Sequence, residues 1–425
     1  MSNHRWATIA HLMAPQFRRA RRRAALVLFL FAGVPFAALG QAPALPSSPA
    51  TTSASAPQRG GRGGGPPVVS PEIAADRTVT FRLRAPSATQ VAVQVAGTRL
   101  ALTKSDQGVW SATSGPLEPD LYAYSFDVDG VTISDPGNRQ YQTSFNSFQS
   151  LLVMPGPAMW LPHAGVAQGA IARHVFHSSV AGDDREFFVY TPASYDARRQ
   201  RPYPVLYLLH GLGDDAGRWF NGGGANRILD NLIAGGKAEP MIVVATLGYG
   251  TAGGPAKAMT PDNVRGYERI LLTEIIPAVE REYRAGTSAA ERAIAGLSMG
   301  GATATYVGLN HLDRFEWIGS FSGAFAMWPE GTTTRGVTSP TTSVLPPDIF
   351  DRTFPSLSAR SAMNLRLLWI ACGTSDGLIA LNRQYRDWLT RKGITFTPIE
   401  TPGSHAWNVW KQNLTDFAPL LFQAR

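Results

Sequence analysis

Two regions of the chain differ in the period of their apolar residues. Between residues 71 and 156 apolar and polar residues alternate, as in Val79-Thr80-Phe81-Arg82-Leu83, and the alternation returns over residues 122–128. A period of two places every second side chain on one face, which is typical of strands with one buried face. This pattern predicts a small all-β sandwich over residues 71–156.

From residue 170 onwards, short runs that are apolar nearly throughout alternate with helical stretches. The predicted strands are 186–191, 205–209, 241–246, 293–295, 317–321, 365–371 and 396–400, and helices are predicted over 269–284 and 378–392. Buried strands separated by helices indicate a mostly parallel sheet covered on both faces. We therefore predict an α/β fold over residues 170–425, after a linker at 157–169. Residues 327–361 have no clear period and are predicted to form a cap or loop over the site.

The first 70 residues have another composition. An arginine cluster at 18–23 precedes an apolar run at 24–33, Pro35 and small residues at 37–40. This order predicts a secretory signal over residues 1–40 and export to the periplasm or the medium, with the export route left open. A membrane anchor is the alternative, although the run is short for a span. Residues 41–70, rich in Pro, Gly and Ser, are predicted to be a disordered linker.

Charge and cysteine content narrow the functional classes. The formal net charge is +8, but the first 70 residues hold eight arginines and no lysine or acidic residue, so the remaining chain is close to neutral. Nucleic acid is therefore not an expected partner. Cys372, the single cysteine, cannot form an intramolecular disulfide and lies in an apolar run, which favours a buried structural thiol. The eight histidines lack ligand spacing, so neither a metal nor a cofactor is expected.

The pentapeptide Gly296-Leu297-Ser298-Met299-Gly300 fits the pattern G-x-S-x-G and follows a short apolar run. A strand that ends in a glycine-flanked serine and then enters a helix is the nucleophile elbow of α/β-hydrolases. A plain surface turn is the alternative. The elbow predicts Ser298 as a catalytic nucleophile, which needs a neighbouring base.

His311 and His405 are the two histidines that follow Ser298 in the chain. His311 falls at the end of the helix predicted after the elbow and is interpreted as structural. His405 follows the last predicted strand, where a turn at the carboxyl edge of the sheet can reach the serine. We predict His405 as the general base.

The order of residues in α/β-hydrolases places the acid between the serine and the histidine. Asp376 follows the strand predicted at 365–371, and its carboxylate would orient the base. A helix cap is the alternative role, because a helix is predicted from 378. Asp348 and Asp351 are rivals within the irregular stretch. We predict Asp376 as the triad acid.

Acyl transfer also needs hydrogen-bond donors for a developing oxyanion. One is predicted to be the backbone N–H of Met299, directly after the nucleophile. The other is predicted to be the backbone N–H of Leu212, in the glycine-containing turn after the strand at 205–209. His210 in that turn is interpreted as bracing the loop by hydrogen bonds.

Four spaced motifs resemble one known family. They are His210-Gly211-Leu212-Gly213 with Trp219 downstream, residues 296–301, Cys372-Gly373 ahead of Asp376, and residues 405–410. Together they look like the putative-esterase family of α/β-hydrolases, which includes feruloyl and acetylxylan esterases, S-formylglutathione hydrolase, mycolyltransferases and enterochelin esterases. Ser404 and Ala406 depart from the residues that several relatives carry beside the base. Residues 108–136 resemble immunoglobulin-like early-set modules, which would suggest carbohydrate contact or a packing scaffold.

The resemblance implies a secreted serine esterase that hydrolyses carbohydrate esters through an acyl-enzyme, most similar to feruloyl or acetylxylan esterases. No stable membrane anchor is expected. Five aromatic residues are candidates for binding the substrate: Trp219, Tyr249, Tyr267, Trp328 and Trp407. The alternatives are a siderophore esterase of the enterochelin type, an acyltransferase, and a carbohydrate-binding protein whose hydrolase domain is inert.

Overall fold

The structure is a computed structural model that describes residues 67–423. The predicted signal and all but the last residues of the predicted linker lie outside the described residues. In the described part, no helix is long and apolar enough to cross a membrane. Residues 67–423 lie within one compact unit of the chain.

The N-terminal part is a β-sandwich built from two antiparallel sheets. Its strands are β1 (Glu72–Ile73), β2 (Val79–Arg84), β3 (Val91–Val95), β4 (Thr98–Ala101), β5 (Thr103–Lys104), β6 (Val109–Thr113), β7 (Leu121–Val128), β8 (Val131–Ile133), β9 (Tyr141–Ser144) and β10 (Ser147–Val153). One sheet has the order β1-β2-β6-β5; the other has the order β4-β3-β7-β10-β9, with β8 paired to β7. Phe81, Tyr124 and Phe126 are fully buried between them, as the alternation predicted.

An eight-stranded sheet forms the centre of the C-terminal part. Its strands are β11 (Ala170–Ser178), β12 (Asp183–Thr191), β13 (Val205–Leu209), β14 (Ile242–Thr246), β15 (Arg292–Leu297), β16 (Trp317–Phe321), β17 (Leu367–Gly373) and β18 (Thr397–Thr401). Their order is β11-β12-β14-β13-β15-β16-β17-β18. The pairs β11–β12 and β12–β14 are antiparallel, whereas β14 to β18 run parallel.

Helices cover both faces of this sheet. They are α1 (Arg218–Asn221), α2 (Ala225–Ala234), α3 (Pro261–Ile270), α4 (Ile276–Glu282), α5 (Met299–Asn310), α6 (Pro329–Thr332), α7 (Asp348–Thr353), α8 (Ile379–Arg391) and α9 (Trp407–Phe417). Tyr207 of β13 packs in a core cluster with residues of α3, α5 and α8, while its neighbour Leu208 packs with residues of α2 and α9. The α/β-hydrolase fold with a preceding β-sandwich agrees with the prediction.

Some local predictions need correction. The helix predicted over 269–284 begins earlier, at Pro261, because proline suits the first turn of a helix, and a π-helical segment over Leu271–Ile275 joins α3 to α4. Strand β11 was not predicted, since it lies at the sheet edge and most of its side chains are exposed. Residues 327–361, predicted as a cap or loop, contain the short helices α6 and α7, and their Trp328 and Phe350 are fully buried and pack against Tyr385 of α8.

Candidate active site

Ser298 lies at the turn from β15 into α5, in a conformation that few residues adopt. Its φ is +52° and its ψ is −116°. A Cβ on Gly296 would lie 2.5 Å from the backbone of Gly300, and a Cβ on Gly300 would lie 2.4 Å from the carbonyl oxygen of His210. Both positions therefore require glycine, which explains the motif. The Ser298 N–H donates to the carbonyl of Phe321 at 2.8 Å and fixes the turn on β16.

His405 lies in the loop between β18 and α9 and connects the serine to a carboxylate. Its Nε2 is 3.0 Å from Ser298 Oγ, and its Nδ1 is 2.8 Å from Asp376 Oδ2. The ring packs against Trp410 in a T-shaped arrangement, with ring centroids 4.9 Å apart. With a proton on Nδ1 donated to Asp376, Nε2 is free to accept the hydroxyl proton of Ser298.

Asp376 follows β17 and is buried beneath His405. Its Oδ1 accepts a hydrogen bond from the Leu378 N–H at 2.8 Å. Burial raises the pKa of Asp376, but the hydrogen bonds from His405 and Leu378 outweigh it, so the pKa lies below its ordinary value. Asp376 is therefore a carboxylate at neutral pH, which suits it to orient a histidine and to stabilise an imidazolium.

The rival residues have other partners. Asp351 on α7 accepts from Trp388 Nε1 at 3.2 Å and pairs with Lys392, while Asp348 pairs with Arg352. His311, the other histidine that follows Ser298 in the chain, has its Nε2 2.7 Å from Glu268 Oε1. In the described structure it contacts neither Ser298 nor Asp376.

The turn after β13 lies against the serine. A Cβ on Gly211 would be 3.5 Å from Ser298 Cβ, so this backbone approaches the elbow closely. Within residues 67–423, neither the Leu212 N–H nor the Met299 N–H has a hydrogen-bond partner. Met299 directly follows Ser298 and Leu212 directly follows Gly211, so both donors belong to the two segments that meet here. Their role as oxyanion donors stays a prediction.

His210 braces this turn from inside the protein. Its Nδ1 donates to the carbonyl of Gly211 at 2.7 Å, and its Nε2 accepts from the Gly248 N–H at 2.9 Å. Burial lowers the pKa of His210 to about 4. The ring is therefore neutral at physiological pH, and its two hydrogen bonds fix one tautomer.

An ionic pair that the sequence reasoning missed lies next to the turn. Arg218 Nε is 3.3 Å from Asp214 Oδ1, and the guanidinium group lies 5.0 Å from the ring centroid of Trp407. Burial raises the pKa of Asp214 to about 6, although the charge of Arg218 acts in the opposite direction. Asp214 precedes α1, which begins at Arg218, so the two charges do not share a helical turn and no local sequence pattern predicted the pair.

One protein-family model matches most of the α/β region. The model of the family described as "Putative esterase" matches residues 178–421, more than half of the chain. The chain belongs to this esterase family. The matched residues include Ser298, Asp376 and His405.

Two relatives of this esterase are named for feruloyl ester chemistry. An endo-1,4-beta-xylanase/feruloyl esterase of Xylanibacter ruminicola is 28% identical over 363 residues, which cover 83% of this chain and 46% of that protein. The esterase thus spans about half the length of that relative. The structure of a ferulic acid esterase from Anaeromyces mucronatus aligns with a TM-score of 0.51 and 25% identity over 63% of this chain and 96% of that one.

A further solved structure shares the fold over more of the chain. The enterobactin esterase of Shigella flexneri aligns with a TM-score of 0.54 and 19% identity, over 80% of this esterase and 92% of that chain. This likeness shows the fold alone.

Most of the aromatic residues predicted to bind the substrate do not lie on an accessible surface. Four of them are fully buried and pack inside the core: Trp219, Tyr249, Tyr267 and Trp328. Their polar atoms are used internally, as with Trp328 Nε1, which donates to the carbonyl of Ala302 at 2.7 Å. Buried rings cannot offer a face to a substrate. Trp407, two residues after His405, is half-buried and keeps part of its surface accessible.

Within 67–423, no group of three or more His, Cys, Asp or Glu side chains is arranged to hold an ion. Cys372 is fully buried, and burial raises the pKa of its thiol to about 12. The thiol therefore stays protonated and is unsuited to act as a nucleophile.

Proposed function

We propose that this esterase is a serine carboxylic-ester hydrolase with Ser298 as nucleophile, His405 as base and Asp376 as orienting acid. The observation that carries the proposal is the position of His405, within hydrogen-bond distance of both Ser298 Oγ and Asp376 Oδ2. The strained backbone of Ser298 supports it, because strain of this kind is maintained where it serves a site.

The reaction proceeds in two halves. Ser298 Oγ attacks the ester carbonyl carbon while His405 Nε2 takes the hydroxyl proton, and the negative oxygen of the tetrahedral intermediate accepts hydrogen bonds from Leu212 and Met299 N–H. Collapse of the intermediate breaks the bond to the alcohol, which leaves with the proton from His405. Water then attacks the carbonyl carbon of the acyl-enzyme while His405 Nε2 takes its proton. The second tetrahedral intermediate collapses, the acid is released, and Ser298 Oγ leaves with the proton from His405.

The proposed substrate is a carbohydrate ester of an aromatic or acetyl acid, most similar to those of feruloyl and acetylxylan esterases. The names of the relatives support this class. The half-buried indole of Trp407 and the exposed side chain of Leu212 supply apolar surface beside the triad. We further propose that residues 1–40 are a secretory signal and that the enzyme is exported.

Turnover of p-nitrophenyl acetate by Ser298→Ala tests the mechanism. The variant should lose at least about 10⁴-fold in kcat, because removing a triad nucleophile leaves only binding and oxyanion stabilisation. An unchanged melting temperature would show that the fold is intact. Equal rates in the variant and the wild type would refute the assignment of the triad.

A substrate panel tests the substrate class. We expect kcat/KM to be highest for methyl ferulate or acetylated xylan. A higher value for enterochelin would favour a siderophore esterase, and acyl transfer to an added sugar in place of hydrolysis would favour an acyltransferase.

A further inference from the structure

The tip of the β9–β10 hairpin, which belongs to the β-sandwich, contacts the turn that carries Leu212. Phe145 at this tip donates its backbone N–H to the carbonyl of Gly213 at 2.9 Å. Gly213 in turn donates its own N–H to Tyr249 Oη at 2.7 Å. The two polar backbone groups of Gly213 are thus held from different sides, one by the sandwich and one by the α/β region.

The residue before Leu212 is held as well. The carbonyl of Gly211 accepts from His210 Nδ1 at 2.7 Å and from the Asp214 N–H at 3.2 Å. Leu212 therefore lies between two residues whose peptide groups are fixed. Because the Gly211–Leu212 peptide unit is planar, the Leu212 N–H points opposite to the held Gly211 carbonyl, while the held backbone of Gly213 fixes the chain on the other side of Leu212.

The side chain of Phe145 strengthens the same contact. Its ring meets Tyr249 edge to face, with centroids 5.6 Å apart and an interplanar angle of 78°. It also lies against Gly254, where an added Cβ would be 2.3 Å from the ring. On the neighbouring strand, Thr143 Oγ1 accepts from Asn221 Nδ2 of α1 at 2.9 Å. The hairpin therefore fixes the turn, the tyrosine that supports it and the helix that follows.

We propose that Phe145 is a positioning residue of the active site, and that the β-sandwich takes part in catalysis by holding the Leu212 N–H in the direction that the oxyanion requires. The inference rests on the proposed function, since it assumes Leu212 as an oxyanion donor. It assigns to the sandwich a role in kcat for esters too small to reach its surface. Such a role is distinct from binding a polysaccharide.

Phe145→Ala in the full chain tests this role, with p-nitrophenyl acetate as substrate. We expect kcat to fall about tenfold, a fraction of the 10²–10³-fold that loss of a whole oxyanion donor costs. KM should change less than twofold, because the donor acts on the transition state. The inhibition constant of a trifluoromethyl ketone, whose adduct with Ser298 carries an oxyanion, should rise by the same factor as kcat falls.

Phe148→Ala is the matched control. Phe148 belongs to the same hairpin, is more exposed than Phe145 and stacks on Tyr141 with centroids 4.8 Å apart. This variant should stay within twofold of the wild type in kcat, KM and inhibition. Phe145→Tyr keeps the ring and should restore kcat to within about threefold, as expected for edge-to-face packing.

Three outcomes would overturn the inference: an unchanged kcat in Phe145→Ala, an equal loss in Phe148→Ala, or a loss of kcat without weaker inhibition by the ketone. If Phe145→Ala fails to fold, Phe145→Leu takes its place under the same criteria. Ser298→Ala separates the two proposals. An active Ser298→Ala refutes the proposed function, whereas an inactive Ser298→Ala with a fully active Phe145→Ala refutes the positioning role alone.

Discussion

The β-sandwich and the α/β region bury their strands in different ways. Along β2 of the sandwich, buried and half-buried residues alternate, whereas β13, β14 and β16 are buried at every position. An antiparallel sandwich covers one face of each sheet, while helices cover both faces of the parallel sheet. The parallel strands all end at one edge, and Ser298, Asp376 and His405 follow the ends of β15, β17 and β18 there.

The difference indicates how each region contributes. The parallel sheet brings residues from distant parts of the chain to one edge, which is where open α/β sheets bind their ligands. The sandwich has no such edge, and it reaches the site through the tip of one hairpin. A second link between the two regions is ionic. Lys411 Nζ, on α9, lies 2.5 Å from Oδ1 of Asp120, which belongs to the sandwich part.

The largest effect should come from the sheet edge. Asp376→Asn should lower kcat by about 10³–10⁴-fold with the fold intact, because an amide stabilises the wrong histidine tautomer. Steady-state kinetics on p-nitrophenyl acetate measures this. Asp351→Asn is the control, since Asp351 lies on α7 away from the triad, and it should stay within twofold of the wild type. Comparable losses in both variants would contradict the assignment of the acid.

The next effect concerns the link between the regions. The side chain of Lys411 is 3% exposed, and burial lowers its pKa while Asp120 acts against this. Asp120→Ala should lower the free energy of unfolding by about 3 kcal/mol, because it leaves a buried ammonium group unpaired. Asp127→Ala breaks a more exposed pair with Arg99 and should cost less than about 1 kcal/mol. Urea denaturation distinguishes them, and equal costs would refute the buried link.

A pH effect should follow from Asp214. Its pKa is raised from 3.8 to about 6, so well below pH 4 the folded and unfolded states both hold the proton. As the pH rises through 4 to 6, the unfolded state loses it first, and the folded state loses up to about 3 kcal/mol of relative stability. The melting temperature of the wild type relative to Asp214→Asn should therefore fall between pH 4 and 6 and stay level above. A flat difference across this range would contradict the raised pKa.

The smallest effect is expected at the mouth of the site. Trp407→Leu should raise KM for methyl ferulate about fivefold, which corresponds to the ~1 kcal/mol of an aromatic contact. KM for p-nitrophenyl acetate, whose acyl group has no ring, should change less than twofold. A KM for methyl ferulate that does not change would remove Trp407 from the substrate-binding surface.

The sequence was informative where one local pattern has one structural meaning. Residues 205–209 and 317–321 are apolar or small throughout and form β13 and β16 at those bounds. The G-x-S-x-G motif predicted a turn whose geometry the structure shows. Residue type alone could not separate a buried ring such as Tyr267 from an accessible one, because burial depends on the whole fold. The contact of Phe145 with Gly213 joins two regions and has no local signal.

The most direct test of the account is rapid-quench mass spectrometry of the wild-type enzyme mixed with excess p-nitrophenyl acetate. An acyl-enzyme on Ser298 should appear as a transient mass increase of one acetyl group, located on Ser298 after digestion and absent from Ser298→Ala. Acetylation of another residue during turnover, or turnover without any covalent intermediate on Ser298 under conditions where acylation outpaces deacylation, would contradict it.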